Sequence, residues 1–469
     1  MRDINFFFRL YPSPMPPLTP PILGGEKEVQ RVRHLYLLTF MTSMSIKTII
    51  LSVVGVIIVL QILVFLRILP GRKAPAPASA TLTFWGIDDD SEIWREIIQN
   101  FNAKFPTISV MYQYINRNDY EDILVNKIAE GKGPDVFMLP NALFVKNKNK
   151  ISPLPQASLA FSPRDFSSTF VDGMYEELVS PDGSIYGLPL FIDTPVLFYD
   201  KDALNAAGIA QVPTSWEDLT MASRKLTQKN AVGEIMKSGL PLGTSRTIDN
   251  SFEILSAIML QKGDPIIQRA QELESVLGEK GTQAMIFYTS FANPADKNFS
   301  WSDRMPRSLT AFAENKSAFA IGFYEDIARI RAKNPHINFG IAPFPQHKGV
   351  AVPVVYGRYF FPTVLKFSKN PIAAWQFVHY LTSNEGSDAY TKKTNKPPVR
   401  RDLLSKGAPT ADLDIFYRQA LIAKSWAVPD DAASRRLFQE AIESVVSGTL
   451  DASEAVNILN DRLSLLLAK

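Results

Sequence analysis

The chain contains no cysteine, and this absence excludes several chemistries. Its 469 residues can form no disulfide, no thiolate metal site, no cysteine nucleophile and no lipid-carrying cysteine. Histidine is scarce as well, and a metal site would need ligands that converge. We therefore expect neither a metal site nor a cofactor. The four histidines are scattered along the chain: His34, His336, His347 and His379.

Neither sign of charge is in large excess. Lys and Arg together number 50 against 47 Asp and Glu, which gives a formal net charge of +3. These charges form no basic stripe, so we expect no nucleic-acid partner. The sequence also lacks the patterns GxxxxGK[ST], GxGxxG and GxSxG, so phosphate-loop, dinucleotide and serine-nucleophile chemistry have no support.

Hydrophobic residues are plentiful, at 46% of the chain, and they allow two or three compact units. The run IILSVVGVIIVLQILVFL, Ile49 to Leu66, carries no charge and would span about 27 Å as a helix. It predicts a transmembrane anchor over residues 46–69. The alternative is a secretory signal cleaved at the small residues Ala78 to Ala80. Flanking charges do not orient the helix, but the long C-terminal part is expected on the extracytoplasmic side of the cell membrane.

Two proline-rich segments flank this run. Residues 1–45 contain YPSPMPPLTPP, which cannot pack as a domain. They form either a short tail or a segment that precedes the true start at Met41 or Met44. Residues 70–80, PGRKAPAPASA, predict an extended, semi-stiff linker.

The chain after the linker alternates strand and helix patterns. TLTF predicts a strand, and the stripe of Trp94, Ile97 and Phe101 predicts a helix behind it. ISVMYQYI, a helix over Asn118 to Glu130, and PDVFMLP continue the pattern. Such a unit predicts a parallel sheet with helices on its faces, and ligands in these sheets lie beyond the carboxyl ends of the strands. Trp94, Trp216 and Trp375 lie in predicted helices, and we assign them to packing.

Three consecutive aspartates follow the first strand. A helix that begins after Asp89 or Asp90 needs a side-chain oxygen for its free amides, and this accounts for one or two of them. Asp88 remains in the loop, where it could contact a ligand hydroxyl. A metal is the third and weakest interpretation, because further ligands would have to converge there.

Capping patterns place several later helices. Thr214 and Glu217 have the spacing of a capping box. The C-terminal stretch predicts two helices that are interrupted at Gly448, and the second is capped by Asp451 with Glu454 three residues on.

Taken in order, the motifs of residues Thr81 to Leu467 resemble one known family, the solute-binding proteins of bacterial ABC importers that include maltose-binding protein. The resemblance rests on the order of several weak motifs. One departure concerns the family's glycine-rich GxW turn, where this chain has Gly322, Phe323 and Tyr324. The motifs include LTFWG, GKGPDVFMLPNALF, YGLPLFIDTPVLFYDKDALNAAGI, PTSWEDL, FAENKSAFAIGFYED, INFGIAPFP, FSKNPIAAWQFVHYLTSNEG and KPPVRRDLL.

The resemblance implies a two-lobed α/β fold of the type II periplasmic-binding-protein kind, with a ligand cleft between the lobes. It places lobe 1 at residues 81–192 and about 362–408, and lobe 2 at about 193–361 and 409–469. The hinge would lie around Asp193 to Val196 and around Tyr356 to Pro362.

A sugar needs flat aromatic surfaces for its CH faces and a few aimed polar groups for its hydroxyls. For each aromatic candidate the alternative is core packing. For Asp193 the alternative is a bond to hinge amides, and for Arg246 it is an ordinary surface cation. The candidate ligand residues are Trp85, Asp88, Asn141, Asp193, Arg246, Tyr324, Tyr356, Tyr359 and Trp426.

The resemblance implies a binding protein, a monomer, that closes on a sugar, oligosaccharide or related polyol and delivers it to permease subunits, and the predicted helix over residues 46–69 would anchor it in the membrane. It is not expected to be an enzyme. Two alternatives stay open: a membrane-tethered carbohydrate hydrolase that uses two carboxylates, with Asp88 and either Asp193 or Glu325 as candidates, and a component of a ligand-sensing receptor.

Overall fold

The computed structural model describes residues 46–65, 79–263, 265–269, 272–350 and 352–468. The chain divides into two units, Met1–Ala78 and Ser79–Lys469. Helix α1, Ile46–Phe65, is the described part of the first unit. Within the described ranges, no helix has both the length and the apolar character that membrane crossing requires. The anchor stays a prediction, while the tail 1–45, residues 66–69 and linker residues 70–78 lie outside the described residues.

The second unit begins with the predicted parallel strands. Strand β1, Ala80–Ile87, pairs in parallel with β2, Ile108–Ile115, and with β3, Val136–Pro140. Helix α2, Ser91–Lys104, and helix α3, Tyr120–Ala129, connect these strands. The periodicity of residues 81–140 thus predicted this part of the fold correctly. The apolar stripe of α2 faces the core through Trp94, Ile97, Ile98 and Phe101.

The complete sheet is mixed, because a strand from much later in the chain joins it. Strand β14, Arg358–Leu365, pairs antiparallel with β3. On its other side β14 pairs with β4, Ile151–Ser152, and with β5, Phe191–Asp193. The parallel sheet predicted for the first three strands is therefore confirmed, and β14, which no pattern predicted, extends it as an antiparallel strand.

A second, smaller sheet follows directly. Strand β6, Val196–Asp200, lies between β11, Phe319–Gly322, and β12, Phe339–Pro343, and both neighbours are antiparallel to it. The chain thus leaves the first sheet at Asp193 and enters the second at Val196. A separate small core packs around this sheet and contains Val196, Phe198, Leu309, Phe312, Ala313, Ala320, Ile330 and Phe416.

The chain returns to the first sheet at a single residue. Strand β13, Val355–Tyr356, pairs in parallel with β15, Ala423–Lys424, and β14 begins after Gly357. A Cβ atom on Gly357 would lie 2.8 Å from Cδ1 of Ile192, closer than carbon atoms pack. The crossing is therefore short and closely packed.

Further helices and short strands complete the unit. The remaining strands are β7 Gln228–Lys229, β8 Ile235–Lys237, β9 Ile267–Arg269 and β10 Leu273–Ser275. The helices up to the second sheet are α4 Phe144–Asn147, α5 Gln156–Leu159, α6 Pro163–Thr169, α7 Tyr175–Leu178, α8 Lys201–Ala206, α9 Trp216–Leu226, α10 Ser251–Gln261, α11 Glu279–Thr289, α12 Ser308–Ala313 and α13 Tyr324–Lys333. The last helices are α14 Pro371–Leu381, α15 Asn384–Thr394, α16 Arg401–Leu404, α17 Ala411–Ala420, α18 Asp431–Val446 and α19 Ala452–Leu467.

The cap of α9 corrects one prediction. Ser215 caps this helix, and its Oγ accepts from the backbone N–H of Asp218 at 3.1 Å. The predicted pair lay one residue too early, because Thr214 is held in extended backbone by a bond from the N–H of Gln346 to its carbonyl.

Two other expectations are confirmed. Asp451 and Glu454 form a capping box at α19, and Gly448 interrupts the two C-terminal helices with φ +72°. The three tryptophans assigned to packing are fully buried: Trp94, Trp216 and Trp375.

Candidate functional site

The three aspartates after β1 have three different roles. Asp90 caps helix α2, since its carboxylate accepts from the backbone N–H of Glu92 at 3.1 Å. Asp89 is buried, and its two oxygens accept from the Tyr390 hydroxyl at 2.7 Å and from the Lys396 ammonium at 2.6 Å. Capping thus accounts for one of the three aspartates, and a buried ion pair accounts for another.

Asp88 holds the loop that follows β2. Its backbone has φ +55°, a left-handed conformation that aspartate tolerates better than most residues. Its carboxylate accepts from the backbone N–H of Arg117 at 2.9 Å and from Nε of Arg117 at 2.8 Å. The guanidinium of Arg117 lies over the ring of Phe360, with 5.4 Å between Cζ and the ring centroid.

A cavity of about 370 Å³ lies beyond the carboxyl ends of β1 and β3. Residues after these strands form one wall, and the first turns of α10 and α18 form the opposite wall. This is the position where ligands bind in sheets of this kind. The lining residues are Ile87, Arg117, Asn118, Tyr120, Glu121, Pro140, Asn141, Ala142, Leu143, Asn250, Glu253, Tyr356, Arg358, Phe360, Asp431 and Arg435.

Arg358 lies at the boundary of the two sheets. Its Nη2 atom is 3.3 Å from Oδ2 of Asp193 and 3.2 Å from Oε1 of Glu325. Its guanidinium stacks on the ring of Phe323, with Cζ 3.5 Å from the centroid. Burial raises the pKa of Asp193 to about 6, although Arg358 favours the charged form.

A second ion-pair group lies on the opposite wall of the cavity. Arg435 donates from Nη2 to Glu253 at 2.7 Å and from Nε to Asp431 at 2.8 Å. Burial disfavours the charged form of Glu253, but the Arg435 guanidinium outweighs it and lowers the pKa of this carboxyl. Glu253 is 1% exposed, and one of its oxygens, Oε2, has no hydrogen-bond partner among the residues that the structure describes.

Asn141 connects three elements at the edge of the cavity. Its Oδ1 accepts from the backbone N–H of Tyr359 at 3.3 Å, and its Nδ2 donates to Oγ of Ser425 at 2.5 Å. A buried amide that is held at both ends has a fixed orientation. Asn141 therefore ties the end of β3 to β14 and to the loop after β15.

The predicted site residues fall into three groups. Asn141 and Tyr356 line the cavity. Asp88 and Asp193 contact cavity arginines through ion pairs. The other five lie outside the lining of this cavity: Trp85, Arg246, Tyr324, Tyr359 and Trp426.

The aromatic residues of this third group are held by the core. Trp85 is 4% exposed on the central strand β1. Tyr359 is buried, and Tyr324 packs edge-on against Phe416. Trp426 donates from Nε1 to Ser256 at 3.2 Å.

Arg246 lies on a different surface. Its side chain is 66% exposed, and its Nε is 3.6 Å from Oε2 of Glu443. It borders a separate groove of about 620 Å³ along α18 and α19.

The sequence reasoning missed the charged residues of the cavity. Arg358 lies in an apolar strand passage, YGRYFFP, where one cation among apolar residues was a usable signal. Arg435 lies in an amphipathic helix and resembles an ordinary helix-surface charge. Glu253 is the one charged residue of the buried helix SFEILSAIMLQ, and this too was a usable signal. The side chains of Arg358, Glu253 and Arg435 come together only in the folded chain. In the described part of the chain, no three acidic or histidine side chains are grouped so as to hold a metal ion.

Comparison with known proteins identifies the class. Residues 86–388 match the sequence profile of the bacterial extracellular solute-binding protein family. The sn-glycerol-3-phosphate-binding periplasmic protein UgpB of Escherichia coli K12 is 25% identical over 435 residues, which cover 84% of this chain and 94% of that protein.

Solved structures show the same fold. The sugar-binding protein MalE from Xanthomonas citri superposes with a TM-score of 0.68 at 22% identity, covering 83% of this chain and 97% of that one. A solute-binding protein from Thermotoga lettingae bound with α-D-tagatose gives 0.61 at 23% identity, covering 83% and 100%. All three proteins are named as binding proteins.

The fold is thus the mixed α/β, two-lobed fold of solute-binding proteins. The chain belongs to the bacterial extracellular solute-binding protein family, and the resemblance seen in the sequence is confirmed.

Proposed function

We propose that this chain is the solute-binding component of an ABC importer and that it binds a sugar, oligosaccharide or related polyol in the cavity between β1, β3, α10 and α18. One observation carries the proposal. The cavity contains a buried acceptor and a buried donor that no group of the described residues satisfies, Oε2 of Glu253 and Nε of Arg358. Buried polar atoms are normally paired, so these two atoms suit the hydroxyls of a ligand.

The charge balance favours a neutral ligand. A phosphate ester would add a charge of about −2 where carboxylates already outnumber guanidinium groups, and like charges in a buried site repel strongly. A sugar or polyol adds no charge. Three arginines contact five carboxylates here: Arg117 with Asp88, Arg358 with Asp193 and Glu325, and Arg435 with Glu253 and Asp431.

Apolar surface is present as well. Tyr356, Phe360 and Tyr120 line the cavity and are at most 6% exposed, so they add apolar surface for the CH groups of a sugar without an open stacking face. The ligands of similar proteins are consistent with this chemistry: one structure holds α-D-tagatose, and another, a cyclo/maltodextrin-binding protein, holds maltotetraose.

The mechanism follows from the two chain crossings. We infer that lobe 1 comprises residues 81–192 and about 362–408 and that lobe 2 comprises about 193–361 and 409–469, with hinges around Asp193 to Val196 and Tyr356 to Pro362. A ligand that contacts both walls binds the closed arrangement better than the open one and so shifts the population toward it. Permease subunits then recognise the closed form.

Retention at the membrane is a further part of the proposal. The uncharged run 49–66 supports an anchor in the cell membrane with the binding unit on the extracytoplasmic side, whereas the described helices give it no support. Alkaline carbonate extraction of membranes tests it. Release of the full chain into the soluble fraction would remove the anchor and leave the ligand proposal intact.

A thermal-shift screen of the full chain tests the ligand. The panel contains D-tagatose, maltose, maltotetraose, glycerol and sn-glycerol 3-phosphate, since a ligand that binds only the native state raises Tm by mass action. We expect a neutral sugar or polyol to raise Tm. Glu253→Gln should abolish the shift relative to the variant's own Tm, while the exposed control Glu279→Gln retains it.

Three outcomes would contradict the proposal. A shift with sn-glycerol 3-phosphate alone would overturn the neutral ligand class. Chromatographic loss of a sugar on incubation would indicate a hydrolase. No shift with any compound would overturn the ligand proposal as a whole.

A further inference from the structure

Three charged side chains join the two walls of the cavity at one side. Helix α4, Phe144–Asn147, follows the wall at the end of β3, and helix α18, Asp431–Val446, begins on the opposite wall. Nζ of Lys146 lies 2.6 Å from Oε1 of Glu121 and 2.8 Å from Oδ2 of Asp430. Lys146 and Glu121 belong to the first wall and Asp430 to the second. We call these three residues the clasp.

The clasp is charged and only partly buried. The side chain of Lys146 is 39% exposed, and those of Glu121 and Asp430 are 27% exposed each. Burial alone would lower the pKa of the Lys146 ammonium, but the two carboxylates outweigh burial and raise this pKa. Lys146 is therefore positively charged at neutral pH, and dissolved salt can screen its attraction to both carboxylates.

Acidic side chains face each other across the cavity beside the clasp. Glu121 lines the first wall, and Asp431 and Glu253 line the second. Burial and the carboxylates of Glu253 and Glu121 raise the pKa of Asp431, although Arg435 opposes this rise. Glu121 thus repels the acidic wall that it faces. The ammonium of Lys146 offsets this repulsion at the point where the two walls meet.

Two other cations lie close to the clasp, one on each wall. Lys150, on the first wall, is attracted by Glu121. Arg436, on the second wall, favours the charged form of Asp430. Each of these cations interacts with a carboxylate of its own wall. Lys146 differs from them, because its ammonium contacts carboxylates of both walls.

We infer that Lys146 is a positioning residue, which holds the opposite wall when the cavity closes and so raises the affinity for a ligand that it does not contact. A contact that forms only when the walls meet stabilises the closed arrangement, and ligand affinity gains by the same factor. Because salt screens the clasp, the affinity even for a neutral sugar becomes dependent on ionic strength. This inference rests on the proposed function, since it assumes a neutral ligand between walls that close.

Calorimetric titration of the full chain at two salt concentrations tests the clasp. The probes are D-tagatose and maltotetraose, which carry no charge. We expect the affinity of the parent chain to fall by about fivefold between about 0.01 M and 1 M NaCl, because the Debye length shrinks from about 30 Å to about 3 Å. At low salt Lys146→Met should bind each sugar about fivefold more weakly than the parent chain. This variant should also lose most of the salt dependence.

Two further variants separate the clasp from an effect on folding. Asp430→Asn removes the charge but keeps a side-chain oxygen for the backbone N–H of Ala433, which Asp430 accepts at 2.9 Å. We expect the same weakening, and combination with Lys146→Met should add nothing further. The control is Lys393→Met, which breaks a pair with Glu96 at 2.7 Å inside the proposed lobe 1 and should leave affinity unchanged. The Tm of each variant without ligand checks that it is folded.

Each other result contradicts a specific statement. If Lys146→Met binds as tightly as the parent chain, or keeps its full salt dependence, the clasp is overturned and the ligand proposal stands. The same conclusion follows if the parent affinity does not respond to salt, or if Lys393→Met weakens binding equally. If neither sugar binds the parent chain at either salt concentration, the sugar proposal fails and this inference fails with it.

Discussion

Arg358 lies directly opposite Asp193 in the antiparallel pairing of β14 with β5, and the guanidinium of Arg358 is 3.3 Å from the carboxylate of Asp193. Both side chains are largely buried at the point where the chain leaves the first sheet. The ion pair and the strand pairing therefore both connect the segment where the chain leaves the first sheet, at Asp193, to the segment where it returns, at Arg358.

Removal of Arg358 should be strongly destabilising. We expect Arg358→Met to lower the free energy of unfolding by about 3–5 kcal/mol, because it leaves Asp193 buried without its counter-ion. Urea denaturation measures the change. The control is Arg418→Met, whose exposed pair with Asp414 should contribute less than about 1 kcal/mol. Equal losses in the two variants would show that the Arg358 pair is no stronger than a surface contact.

Glu177 should make stability fall as the pH rises. The pKa of this carboxyl is about 7 in the folded chain, against the ordinary 4.5. Between these values the folded chain binds more protons than the unfolded chain, so its free energy of unfolding decreases with increasing pH. At 1.36 kcal/mol per pKa unit, the full effect is roughly 3 kcal/mol.

Glu177→Gln removes this dependence. We expect the variant to gain stability relative to the parent chain as the pH rises from about 4.5 to 8. Urea denaturation of both proteins across this range gives the difference. Asp193 titrates in both proteins, so its contribution cancels. Parallel stability curves would mean that Glu177 has an ordinary pKa.

The adjacent aspartates should differ in what they contribute. Asp89→Ala leaves Lys396 and Tyr390 without their buried acceptor, and we expect a loss of about 3–5 kcal/mol. Asp90→Ala removes a helix cap and should cost about 1 kcal/mol. Chemical denaturation ranks the two variants. The reverse order would show that the cap, and not the buried pair, holds this segment.

Trp85 and Arg246 should both leave ligand affinity unchanged, for different reasons. Trp85 is buried in the sheet core, so Trp85→Ala should lose about 3–5 kcal/mol of stability. Arg246 is mostly exposed, so Arg246→Ala should change stability by less than about 1 kcal/mol. Titration of the folded fraction of each variant with the ligand from the thermal screen checks affinity. Weaker binding in either variant would place that residue in the site.

The sequence was most informative where local pattern decides structure. In residues 81–140, alternation in the strands and the apolar stripe around Trp94 specify the elements, because each element buries one face against its immediate neighbours. Strand β14 was not assignable in this way. Its partners β3, β4 and β5 lie far from it along the chain, so only the folded chain shows that the sheet is mixed.

The site was less predictable, for a physical reason. The expectation of aromatic ligand contacts selected Trp85 and Trp426, but a tryptophan between strands fills a core just as well as a cleft. The charged residues Glu253, Arg358 and Arg435 come from a helix, a strand and another helix. Arg358 and Glu253 stand out as single charges in apolar segments, but only the folded chain brings them together with Arg435 at one cavity.

Gly357 joins the β13–β15 pair to strand β14 of the first sheet. Its neighbour Tyr356 belongs to the β13–β15 pair, and its neighbour Arg358 belongs to β14. The chain leaves the first sheet for the second at Asp193, which pairs with Arg358. The two connecting segments therefore lie next to each other, and the ion pair between Arg358 and Asp193 joins them. With the hinges proposed above, this arrangement should favour rotation of the two lobes about that spot over sliding, and each closing should then bring the same residues together.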